Sequence, residues 1–446
     1  MTKFHTLLFF IIIFTQLNAH DVFIVNSNDE TLSRYNTETE VLENHILQLG
    51  QYANQIVVQE DKSYVVNSGV HNIQIIDLET VFTTGYINCP NGSNPYWMVL
   101  HPEGEKAYVT GLFTNSVYVL DLVNKNVSNT ISVGSVPEGM ILFNENLYVM
   151  NSSYGSSTGT VSVIDINSEI VTNTIPVGNN PQFGAVDDLG RLHVVCTGNY
   201  GYGSPAVWGK IYCIDTEDIN DVTVLDVGGS PTKIAIHPNG IAYLADGFGL
   251  GYMAYDSHDL SIIHSSSELW ASGGSFIQFD ENGTMYLGDS MDWINNGRIY
   301  IYSADEELIA TLTVGVNPQD AGFYYPGVSV DDTPQEGITT CNYPNPFSNS
   351  TTISFSLTTR LLRQPTDTPR QAEIEIYNIK GQMINQLDIR NSDLEISYNT
   401  SSQSCFYQVS WNGNDNYNTA VSNGVYLYKI VSGNIKTAFH KMIVLR

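Results

Sequence analysis

Positive charge is what this chain has least of: 18 Lys and Arg stand against 46 Asp and Glu in 446 residues, a formal net charge of −28. The deficit is local. Residues 20–334 carry 8 basic side chains against 38 acidic ones, whereas residues 335–446 carry 9 against 8. Such an acidic body repels phosphate backbones and anionic lipid heads, which excludes nucleic acid and bare membrane as partners. It reads as a solvated surface that keeps a secreted protein dispersed, and no EF-hand spacing of Asp supports a cation-collecting role. Long apolar runs are scarce too. Residues 1–19 hold LLFFIIIF between Lys3 and LNA, which reads as a secretory signal peptide too short to span a bilayer. No integral membrane segment is expected after it, and no cysteine near the cleavage point suggests a lipid anchor. P-loop, GxSxG and CxxC patterns are absent, which removes the chemistries they mark.

Cysteine is sparse and odd in number, at five. Cys196 and Cys213 fall towards opposite ends of one hairpin, so no bond between them is expected. Cys341 and Cys405 share the C-terminal region and either pair or stay reduced, leaving Cys89 as a lone thiol.

What the chain has in abundance is one phrase. An aromatic-led strand reads YVVN from Tyr64, YVTG from Tyr108, YVMN from Tyr148, HVVC from His193, YLAD from Tyr243 and YLGD from Tyr286. A diverged first copy, FIVN, starts at Phe23. The starts lie 41, 44, 40, 45, 50 and 43 residues apart, the period of one four-stranded propeller blade. A second strand follows and usually ends in Asp (Asp77, Asp121, Asp165, Asp215). A third, introduced by proline, precedes most copies, and a fourth joins the copies and ends in VG at Gly134, Gly178, Gly228 and Gly315.

If the strands of a blade are lettered A to D from the inside, the Phe23 copy lacks its own A strand. A spare one, NPQDAGFYY, begins at Asn317. The pattern therefore predicts an all-β chain whose residues 20–329 form a seven-bladed β-propeller, closed by residues 317–326 pairing with the first blade. Residues 330–340 read as a linker. Residues 341–446, with period-2 strands and Gly/Asn turns, read as a small antiparallel Ig-like β-sandwich.

The iterated VG-x-x-P, YVxN and VIDL strands resemble the YVTN-type β-propeller repeats of bacterial and archaeal surface proteins, over residues 21–327. The C-terminal part, with NYPNPF from Asn342, TTISF, IYNIKGQ, WNGND at Trp411, NGVYLYKI and a final KMIVLR, resembles the Ig-like sorting domains of type IX secretion substrates. That resemblance implies export across an outer membrane through the secretion machinery, and attachment to or release from the cell surface. The insert TTRLLRQPTDTPRQ from Thr358 and the long NSDLEISYNTSSQSC depart from the pattern.

In a propeller, D–A and B–C connections emerge on one face. All four propeller tryptophans map there: Trp97 at the start of an A strand, Trp270 in a D–A loop, Trp208 and Trp293 in B–C loops. Tyr200 and Tyr202 join them. Aligned on the proline, the A strands present a hydrogen-bonding ring that includes Tyr96, Glu138, Gln182 and Gln319, and beside it Trp97, Phe183, Lys233 and Asp320. Polar groups at a channel mouth overlooked by aromatic loops have the composition of a recognition surface. The expected ligand is an extracellular glycan or protein. Two other readings stay open: a hydrolase or lyase using Glu138, Lys233 and Asp320, and a structural coat component. Only His71 falls in a B–C loop, so neither a metal site nor a cofactor is expected. The Asp ending each C strand reads as a turn cap.

Overall fold

The computed structural model describes residues 20–154, 158–325 and, between 338 and 445, the strands named below with their adjoining turns. Residues 1–19, and with them the expected signal peptide, lie outside the described residues, as do most of the expected linker and the side chains of Cys341 and Cys405. The chain divides into two compact units, Met1–Pro326 and Gly327–Arg446. No helix among the described residues is long and apolar enough to cross a membrane.

Among its described residues the first unit holds seven four-stranded antiparallel sheets. Each B strand alternates with period 2, yet both of its faces are buried. Tyr64 and Val66 point into the same layer as Met98 and Val109 of the next sheet, while Val65 points into the layer behind, with Phe23 and Val25. Sheets stacked face to face this way cover both their surfaces without a helix, and this explains why the B phrase is largely apolar. The A strands touch one another in cyclic order, so they line the axis of a propeller-like ring. The D strands are outermost and mostly exposed, as in Asn126–Ser132, where Ile131 alone is buried.

The ring is closed by the spare strand. Pro318–Tyr324 pairs antiparallel with Asp21–Asn26, Asp21 opposite Tyr324 and Ile24 opposite Ala321. Chain ends distant in sequence thus share one sheet, and the inner edge of Asp21–Asn26 is covered. Side chains staple the neighbouring sheets. Gln55 accepts from Met98 N (2.6 Å) and donates to Met98 O (3.1 Å). Asp320 accepts from Ile56 N (3.1 Å) and Gln278 Nε2 (2.9 Å).

The recurring Asn and VG have a joint cause. Asn26, Asn67 and Asn151 end their B strands and donate to side chains of strand C: Ser33 at 2.9 Å, Asn72 at 3.0 Å and Ser162 at 3.0 Å. Each lies against the glycine that ends the D strand of the preceding sheet. A Cβ on Gly50, Gly134 or Gly315 would come within 2.7 Å of that Asn, so only glycine lets the sheets approach. The Asp at the end of strand C caps its turn: Asp77 accepts from Thr80 N and Asp165 from Ser168 N, at 2.8 and 2.7 Å.

The second unit has two antiparallel sheets. One runs Ile338–Tyr343, Thr351–Thr358, Ser404–Trp411 and Ser397–Asn399. The other runs Met383–Asp388, Ala372–Asn378, Gly424–Ser432 and Ile435–Lys436, with His440–Val444 also on Gly424–Ser432. They share one core around Trp411, Ile353, Ile374 and Tyr428. Cys89, Cys196 and Cys213 are free and buried; Cys196 faces Lys210 across the hairpin and Cys213 faces His193.

Candidate functional site

The ladder between strands A and B is interrupted just after the proline position, held by Ala53 in one sheet, in six of the seven sheets. A β-bulge leaves a residue outside the ladder and re-aims its side chain. The residues so released include Tyr96, Glu138, Gln182 and Gln319 of the ring picked out by alignment, and Lys233 of the column beside it. Their freed backbone groups find side-chain partners: Thr110 Oγ1 accepts from Trp97 N at 3.0 Å and donates to Glu138 O at 2.9 Å.

A cavity of about 220 Å³ opens here, lined by Tyr96, Gln182, Phe183, Tyr200, Lys233, Trp293 and Gln319 of the expected set. Thr232, Ser275, Asp289, Ser290 and Met291 complete much of the wall. Gln182 orders one side, donating to Tyr200 OH (3.1 Å) and accepting from Thr197 Oγ1 (2.9 Å). Asp289 is tied to its own loop, accepting from Met291 N at 2.8 Å. Asp289 and Ser290 were missed from sequence, although the signal was present: the sixth and seventh phrases end in Asp, whereas three of the other five end in Asn.

Lys233 is the only cationic side chain in that wall. Its Nζ donates to Gln319 O at 2.6 Å and sits 5.5 Å from the Trp97 ring centroid and 5.9 Å from that of Phe183. Burial pulls its pKa down, with Asp320 pulling the other way. Burial likewise raises Asp320, opposed by Lys233 and its hydrogen bonds. Trp97 does not reach the cavity wall; it packs edge-on against Phe183 at 4.9 Å and supports it from behind.

Glu138 stands apart from the Lys233–Asp320 pair. Burial pushes its carboxyl up to about 7, against hydrogen bonds from Ser152 and Gln182. A carboxyl that holds its proton more tightly when folded favours folding while protonated, and this gain is lost as pH rises from about 4.5 to 7. Glu138→Gln should therefore flatten the pH dependence and stabilise the protein at pH 8 on the order of 2–3 kcal/mol. Thermal melts of both proteins at pH 5 and pH 8 measure it; parallel curves would refute the burial effect.

The remaining aromatic residues divide. Tyr202 is 83% exposed and Trp208 49%, and neither belongs to the cavity wall; Tyr202 is edge-on to Phe248 at 6.2 Å. Trp270 is elsewhere, which corrects its expected place at the mouth. After the short D strand Ile262–His264 the chain bonds Trp270 backbone to Tyr252 in both directions, 2.9 Å each. Its ring is thereby carried between sheets, stacked on His264 at 5.8 Å and 4.9 Å from Tyr302. No group of three or more His, Cys, Asp or Glu positioned to hold a metal occurs among the described residues.

Comparison with known proteins bears on both units. Residues 342–445 match the family described as secretion system C-terminal sorting domain. The protein is thus a secreted one of the outer cell surface, and its C-terminal domain engages the secretion machinery. A functionally unknown protein from Desulfotomaculum acetoxidans is 13% identical with a TM-score of 0.53, covering 69% of this chain and 99% of that one. A quinonprotein alcohol dehydrogenase-like protein from Bacteroides thetaiotaomicron is 16% identical with a TM-score of 0.50, over 69% and 78%. At these identities the likeness shows the propeller-like fold alone. No curated protein sequence matches.

Proposed function

We propose that this protein is a surface-displayed recognition protein: a seven-bladed β-propeller of the YVTN type whose channel mouth binds one end of an extracellular glycan. A signal peptide and an Ig-like sorting domain serve its export. The observation that carries the reading is the mixed wall of the cavity. Tyr96, Phe183, Tyr200 and Trp293 offer ring faces, and Gln182, Thr232, Ser275 and Gln319 offer amides and hydroxyls. Sugars are held by this pairing of apolar faces with neutral hydrogen-bonding groups. At about 220 Å³ the cavity is smaller than the ~300–1,000 Å³ of drug-sized pockets, so it suits one ring rather than a chain.

Trp293 is half exposed on the cavity wall, and its removal costs the fold little. Trp293→Ala should weaken binding on a glycan array at least tenfold while leaving the melting temperature within about 2 °C. Undiminished binding by that variant would move the site elsewhere.

A further inference from the structure

Lys233 is the singular feature of the cavity. The surrounding body carries 8 basic against 38 acidic side chains, so one cation placed at the channel mouth demands a reason. Its hydrogen-bonding account is incomplete. An ammonium has three donors, and a single one is used, by Gln319 O at 2.6 Å. Among the described residues no carboxylate lies within the 4 Å of an ion pair. Asp320 is the anion that it feels, yet both Asp320 oxygens are taken, one by Ile56 N and the other by Gln278 Nε2. Trp97 and Phe183 hold the stem in place without neutralising the charge. A nearby hydroxyl is likewise waiting for a partner: Ser275 Oγ, on the same wall, is buried and makes no hydrogen bond.

We infer that the ligand is an acidic saccharide whose anionic substituent, a carboxylate or sulfate, sits on Lys233 Nζ, with Ser275 Oγ donating alongside. This rests on the glycan-binding reading and narrows it to one class. A charge-assisted bond in a partly desolvated cleft is stronger than a neutral one. The acidic body opposes an anion at long range, but beyond about 8 Å that field is screened at physiological salt. The contact itself survives.

The test uses the full-length protein and an array bearing oligouronates, sulfated oligosaccharides, and the same chains with carboxyls reduced or sulfates removed. Wild type should bind one acidic set at least tenfold more tightly than its neutral counterpart, and the preferred set identifies the substituent. Lys233→Met should abolish the preference, read as the ratio of acidic to neutral binding within each variant, and Lys233→Arg should restore much of it. Equal binding of acidic and neutral chains, or a preference that survives in Lys233→Met, overturns the inference while glycan binding stands. Binding to none of the chains overturns both. If Lys233→Met does not fold, the acidic-to-neutral ratio of the wild type decides alone.

Discussion

Asp320→Ala is expected to lower the unfolding free energy of the ring by about 3–5 kcal/mol. Asp320 is 1% exposed and belongs to the closing strand, yet its carboxylate serves two other sheets. Alanine would strand Ile56 N–H and the Gln278 amide in a dry interior, and remove the one anion that offsets Lys233. Each orphaned donor costs about 1–3 kcal/mol. Because the strand joins the two ends of the ring, the loss should show as earlier chemical denaturation of all seven sheets together, with the second unit unaffected. Asp320→Asn should lose less, since an amide oxygen still accepts one of the two bonds. A melting curve unchanged in Asp320→Ala would mean that water replaces the carboxylate, and that the closure does not depend on it.

The second large effect lies in the sorting domain. Trp411 is 1% exposed, packs edge-on against Phe347 and Tyr426 at 5.5 and 5.6 Å, and donates its indole N–H to Asn414 O at 2.8 Å. Trp411→Ala leaves a cavity between the two sheets, a loss of about 3–5 kcal/mol. Small domains have about 5–15 kcal/mol in all. A domain of this size would then spend much of its time unfolded, and the protein at the cell surface should fall several-fold while the fraction retained inside rises. Surface labelling and cell fractionation measure both. If display is unchanged although protease cuts the domain freely, the machinery reads a linear segment of residues 342–445 and not its fold.

Much of the ring could be read from the sequence because its period is set by packing. A B strand covered on both faces must be largely apolar, and its repetition from Phe23 to Tyr286 announces each sheet. The missing A strand before Phe23 and the spare one at Asn317 announced the closure by the same logic. The site was harder to read. The alignment on proline found the ring, but not the bulge that turns Gln182 and Lys233 into the cavity, since a break in ladder register leaves no residue signature. Trp270 went astray because a three-residue outer strand lets the following loop return to Tyr252, which loop composition does not reveal. The charged residues Glu138, Lys233 and Asp320 looked like one cluster in the alignment. Strand pairing separates Glu138, which faces Ser152 and Gln182, from the other two.

The close approach of Gly134 to Asn151, of Gly50 to Asn67 and of Gly315 to Asn26 has a bearing on how such a chain grows. The two halves of each contact belong to successive copies, so the module that can be duplicated or exchanged without a clash is not one sheet. It runs from the middle of one copy to the middle of the next, carrying a terminal glycine together with the amide it must admit.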